Sequence, residues 1–210
     1  MKGLVLSVML LLATTAVAET QEAATTGQQY TAFNIWVLSK SQRHNQRFIN
    51  YKVRGSAILP AGTPVFNVEA LTSPQGGGFI STDDSSFPGP HVAFETKDGQ
   101  RFEILFKGKW HPGKSLEDYK NYLISDKNFE QLTEGLSEQE IDAIRKGVVI
   151  AGMSKRAVLI SYGYPPEHKT PSLDDASWLY WLGKTTKKEI CFDSEGRAAR
   201  CGQIEDAEVL

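Results

Sequence analysis

Beyond its first twenty residues this chain has no long apolar run. No later stretch approaches the roughly 18 apolar residues of a membrane-spanning helix, so the mature protein is expected to be soluble. An excess of basic charge is also missing, which argues against polyanion binding and against nucleic acid as a partner. Histidine is sparse: His44, His91, His111 and His168 never fall at the i, i+4 spacing of a helical metal pair. They are expected to be single, exposed or half-buried side chains, with no metal and no cofactor. The pairs Asp83-Asp84 and Asp174-Asp175 lack the alternating oxygen ligands of a calcium loop and read as solvated turns. There is no G-x-S-x-G elbow, no internal repeat and no low-complexity segment. Cysteine is limited to Cys191 and Cys201, and neither has the surroundings of a nucleophile. They flank a turn, so a structural disulfide is expected, which suits an oxidising compartment.

What the N-terminus does have is an export pattern. Lys2, an apolar run over 4–13 and Ala16-Val17-Ala18 read as a signal peptide over 1–18. No cysteine lies near that cleavage site, so no lipid anchor is expected. The mature chain, about 192 residues from Glu19, has room for one large domain or two small ones. Without Lys2 it carries 22 basic against 25 acidic residues, a net charge near −3.

Residues 19–29 are polar and aperiodic, a flexible leader. From 30 to 108 the pattern is that of strands, at 30–38, 48–59, 64–70, 91–96 and 101–107, forming a β-domain. Lys97-Asp98-Gly99-Gln100 is a hairpin turn, and Ser73 to Pro90 is a long mobile loop rich in Gly, Ser and Pro. Short antiparallel strands in this number suggest a small SH3-like barrel. Residues 109–147 form a helical connector. One helix spans 115–125, capped by Ser115, with Leu116, Tyr119 and Leu123 on one face. Another ends at Gly147 and opens on Ser137-Glu138-Gln139-Glu140, a capping box. Residues 148–204 form the last domain, and 205–210 an acidic tail. The fold class is α+β.

The last domain is the most informative. Ser154 caps a short helix that places Val158 and Tyr162 on one face, Gly163 stops it, and Pro165 prevents it from resuming. Trp178, Tyr180 and Leu182 then alternate with Leu179 and Trp181 as a strand. Phe192 lies on the next strand, and Gly196 closes the turn after it. Gly152, Met153, Ser154, Val158, Gly163, Pro165, Trp178, Tyr180, Phe192 and Gly196 together resemble the SmpA/OmlA domain family, the envelope fold of the E subunit of the outer-membrane β-barrel assembly machine. The likeness covers a quarter of the chain. It implies a helix plus an antiparallel meander, and a role in outer-membrane or cell-envelope assembly. Its motif residues are structural rather than catalytic.

Gly108 to Ser115 matches the Walker A spacing G-x-x-x-x-G-K-S between a strand and a helix. Pro112 removes an amide donor where phosphate needs one, and Trp110 and His111 are bulky in a loop that must curl tightly. The segment is therefore expected to bind no nucleotide and to serve as a strand-to-helix connection with Ser115 as its cap. The richest candidate for binding is the aromatic cluster of Trp178, Tyr180 and Trp181 with Tyr162 and Tyr164. Trp178 and Tyr180 face one way and read as core. Trp181 faces the other way and, with Tyr164, is a candidate to meet a partner unless a neighbouring element covers it. The expectation is an exported bacterial envelope protein, not an enzyme, that binds an envelope protein. Two alternatives stay open. One is an inhibitor or sequestering module of the β-lactamase inhibitory protein type. The other is a hydrolase built from scattered residues.

Overall fold

The computed structural model describes residues 27–37, 57–72, 89–181 and 186–202. The signal peptide over 1–18, most of the leader, the acidic tail, His44, Asp83-Asp84, residues 48–56 of the second expected strand and 73–88 of the long loop lie outside the described residues. So does Leu182 of the aromatic strand.

The fold is mixed α+β. Five antiparallel strands form the main sheet: β1 (Gln29–Thr31), β4 (Pro64–Leu71), β5 (His91–Thr96), β6 (Arg101–Leu105) and β7 (Ile124–Ser125). Their spatial order is β6-β5-β4-β1-β7. The β5–β6 hairpin turns where Asp98-Gly99 predicts it, with Gly99 at φ +77°. Alternation along β6 buries Phe102 and Ile104 against Val92 and Phe94 of β5. Helix α1 (Leu116–Leu123) covers this face with Tyr119 and Leu123. It starts where the sequence indicates, since the Ser115 hydroxyl accepts the Asp118 amide and the Asp118 carboxylate accepts the Ser115 amide.

The expected strand over 30–38 is divided. β1 stays in the main sheet, while β2 (Ile35–Val37) leaves it to pair with β3 (Ala57–Leu59). The break falls at Asn34, which is buried. Its amide nitrogen donates to the carbonyls of Ile144 (2.6 Å) and Ser161 (3.3 Å), and its amide oxygen accepts the Ala61 N–H (2.9 Å). Four hydrogen bonds, counting Asn34 N–H to Ile160 O at 2.9 Å, outweigh the ladder bonds that a straight strand would gain.

A second core joins α3 (Glu138–Lys146) and α4 (Lys155–Tyr162) to a three-stranded antiparallel sheet. Its strands are β8 (Ser177–Trp181), β9 (Lys187–Phe192) and β10 (Ala198–Ala199), in the order β10-β9-β8. Met153, Val158, Trp178 and Tyr180 are among its fully buried side chains. Ser137 and Ser154 cap α3 and α4 as expected. Between α1 and α3 lies one more short helix, α2 (Phe129–Thr133), opened by a capping box of Asn128 and Gln131.

The helical connector over 109–147 is not a unit of its own. α1 and β7 belong to the first core, whereas α2 and α3 pack into the second. Two close approaches hold the parts together. A side chain at Gly62, in the β3–β4 turn, would collide with the backbone of Phe129. One at Gly147 would come within 2.5 Å of Ile58 and 2.9 Å of Trp36. Both glycines also have positive φ, at +72° and +60°, so turn geometry and contact select the same residue.

Candidate functional site

The two cores meet along a seam, and the seam opens into a cleft of about 340 Å³. One wall comes from the first core: Phe33 at the β1–β2 bend, Tyr122 of α1, and β7. The other comes from α4, through Arg156, Leu159 and Ile160, with Leu132 of α2 beside them. Lys127, just after β7, and Tyr164, just after α4, complete the lining. Gly163 places Tyr164 there: its φ of +77° ends α4, and its carbonyl accepts the buried Tyr180 hydroxyl at 2.9 Å.

Tyr164 stacks on Tyr122, with ring centroids 4.3 Å apart and planes 12° apart, and meets Phe33 edge-on at 6.2 Å. Burial raises the pKa of both tyrosines. The Tyr122 hydroxyl donates to Glu167 Oε1 at 2.8 Å. Lys114 Nζ lies 3.8 Å from that oxygen and 5.5 Å from the Tyr122 ring centroid. His111 Nδ1 lies 3.5 Å from Glu167 Oε2. Glu167, carried by the segment after α4, is thus the hub of a polar clasp onto α1 and the loop before it.

The clasp corrects the expectation for the histidines. His111 is buried, tilted against Tyr119 at 4.9 Å and stacked on Phe106 at 6.0 Å. Burial lowers its pKa, more than the opposing charge of Glu167 raises it, so the ring is held neutral. His91 is buried as well, its Nδ1 2.9 Å from Gly89 O. Both local contacts and the distant Glu167 decide this, and nothing in the spacing of the histidines shows it.

Trp181 does face opposite to Trp178 and Tyr180, but it is half-buried. Trp110 lies edge-on to it at 5.1 Å and His168 at 5.4 Å. The covering comes from the loop before α1 and the segment after α4. The covered surface therefore runs from Trp181 through His168 and Glu167 to Tyr122 and Tyr164, and Tyr164 also lines the cleft.

In the Walker-like segment, Gly108–Trp110 form a single 3-10 turn. Ser115 is engaged in its cap, and Lys114 in the clasp. Of the family-motif residues, Met153, Val158, Trp178, Tyr180 and Phe192 are core, Ser154 is a cap, and Gly152 and Gly196 sit in turns at φ +81° and +72°. Pro165 is buried beside the cleft segment. Cys191 and Cys201 are joined in a disulfide with Cα atoms 5.2 Å apart. Among the described residues, the one close group of metal-ligand types is Glu189 with these two cysteines, and their bonded sulfurs supply no thiolate. None of the described helices is long and apolar enough to cross a membrane. Comparison with protein-family models, with curated proteins and with solved structures finds no match.

Proposed function

We propose that this chain is a non-enzymatic binding module that engages a partner protein through the seam cleft. The observation that carries this is the lining. A stacked tyrosine pair and the apolar side chains of Phe33, Leu159 and Ile160 surround an open volume of about 340 Å³. Tyrosines at a pre-formed cleft are the kind of anchor on which interfaces concentrate their energy. The lining is mainly aromatic and aliphatic, with its polar groups at the rim, which suits binding a side chain. Tyr164 is the anchor in this proposal, and Trp181, covered by Trp110 and His168, flanks the same surface.

Export to the cell envelope belongs to the same proposal. Its supports are the apolar stretch within 1–18 and the disulfide, which suits an oxidising compartment. The SH3-like description of the β-domain and the SmpA/OmlA-like description of the last domain belong here too. For the second, the support is that its motif residues occupy core, cap and turn positions around one helix and a three-stranded sheet. A role in envelope assembly follows from that likeness alone.

The test is crosslinking capture from an envelope extract with the exported protein, its Tyr164→Ala variant and a Phe66→Ala control, since Phe66 is exposed and lies outside the cleft. The partner should be captured by wild type and Phe66→Ala and lost with Tyr164→Ala at a temperature where circular dichroism shows that variant still folded. Equal capture by all three would remove the cleft as the interface.

A further inference from the structure

The cleft has a chemical bias that defines its occupant. Its charged lining residues are Lys127 and Arg156, both exposed, in a chain whose net charge is −2. The Arg156 guanidinium is oriented rather than loose. Nη1 donates to Glu134 O at 2.8 Å and Nη2 to Leu132 O at 2.6 Å, which holds the fork at the α2 side of the cleft. Lys127 makes no ion pair among the described residues, so its charge is available to a ligand.

A sheet edge lies beside these charges. Among the described residues, β7 is the last strand of the main sheet and pairs only with β1. The Ala32 N–H donates to Leu123 O at 2.8 Å, and Thr31 stands opposite Ile124 in the same register. The Leu123 carbonyl and Ser125 therefore face β1, and Ile124, between them, turns its carbonyl the other way. The Ile124 N–H is already taken by Lys120 O. The edge that lines the cleft thus offers an acceptor, which suits a donor N–H of an added peptide strand. A fatty acid or alkyl phosphate has no such donor.

We propose that the cleft binds an extended acidic peptide segment of a partner protein. One aromatic or aliphatic side chain of the peptide packs on Phe33, Ile160 and the Tyr122–Tyr164 stack, and a nearby carboxylate faces Lys127 and Arg156. This rests on the proposed protein-binding role of the cleft and adds the chemistry of the partner.

Panning a displayed random-peptide library on the disulfide-intact protein tests it, with fluorescence anisotropy of the synthesised, labelled hits. Enriched peptides should carry Asp or Glu close to Phe, Tyr, Leu or Ile. Their affinity should fall with added NaCl, fall ~10-fold in Lys127→Glu at unchanged melting temperature, and vanish in Tyr164→Ala. Hits that need Tyr164 but carry no acidic residue and bind Lys127→Glu like wild type would overturn the acidic preference while leaving the cleft as a protein-binding site. Hits indifferent to both substitutions would overturn the preference and the site together. Saturable, Tyr164-dependent binding of dodecanoate with no enriched peptide would assign the cleft to a small amphiphile and overturn the proposal.

Discussion

The two cores solve the same burial problem with different materials. In the first, rings stack across neighbouring strands: Phe94 and Phe102 lie 5.4 Å apart with planes only 16° apart, and α1 closes the face. Its apolar contacts are spread over a five-stranded sheet. The second has three strands, and β10 is only two residues long. A sheet that small is marginal by itself. It concentrates its support in a few groups: Trp178 edge-on to Phe192 at 4.6 Å, a disulfide, and Glu140. Glu140 accepts the Ser137 N–H at 3.0 Å and the Ser154 N–H at 2.8 Å, and so pins the start of α4 to the start of α3. The lesson is that the second core, with its smaller sheet, adds a disulfide and a buried carboxylate to the packing of its helices.

Emptying one ring site in each core should have the largest effect. Trp178→Ala and Phe94→Ala should each cost about 3–5 kcal/mol in urea unfolding, with Trp178 at the upper end. A larger loss at Phe94 would show that the second core is not the more concentrated one.

Titration separates the cores next. Burial alone would raise the pKa of Glu140, but hydrogen bonds from the backbone amides of Ser154 and Ser137 and from their hydroxyls reverse this and bring it from 4.5 to about 2. A depressed carboxyl contributes stability above its unfolded pKa and loses it as pH falls through the folded one. At most about 3 kcal/mol, less what solvent screens, should therefore disappear between pH 4.5 and 2, and that loss should be absent in Glu140→Gln, which starts lower. His111 works in a different window. Its folded pKa lies below 6.5, so the unfolded chain takes up the proton first, and stability should fall as pH drops through 6.5. In urea midpoints measured across pH, His111→Phe should lose that slope and keep the one from Glu140.

Reducing the disulfide should cost about 3 kcal/mol by chain-entropy reasoning for a loop between cysteines 10 residues apart. Hydrogen exchange should then rise along β8–β10 and stay low in β4–β6. Uniform loosening of both sheets would show one shared reservoir of stability. The smallest effect is expected at the seam. Trp181→Ala should cost about 1–2 kcal/mol, because the ring is only half-buried under Trp110 and His168. A loss as large as that of Trp178→Ala would place Trp181 in the core.

Local events are legible in the residues alone. Ser115, Ser137 and Ser154 announce three helix starts because a cap is satisfied within three residues. Asp98-Gly99 announces the hairpin, and alternation separates Trp178 and Tyr180 from Trp181. Cys191 and Cys201 announce their bond because a turn lies between them. Events that join distant residues depend on the assembled fold. Asn34 divides a strand because Ile144 O, 110 positions away, outbids the sheet for its side chain. Residues 109–147 part between two cores because α1 has its apolar face filled by β5 and β6, whereas α3 finds its partner in α4. His111 is buried because Glu167 and Tyr119 converge on it, and Tyr164 lines a cleft because Tyr122 is there to stack with it. Caps and turns need only near neighbours. A seam exists only once both of its sides are in place.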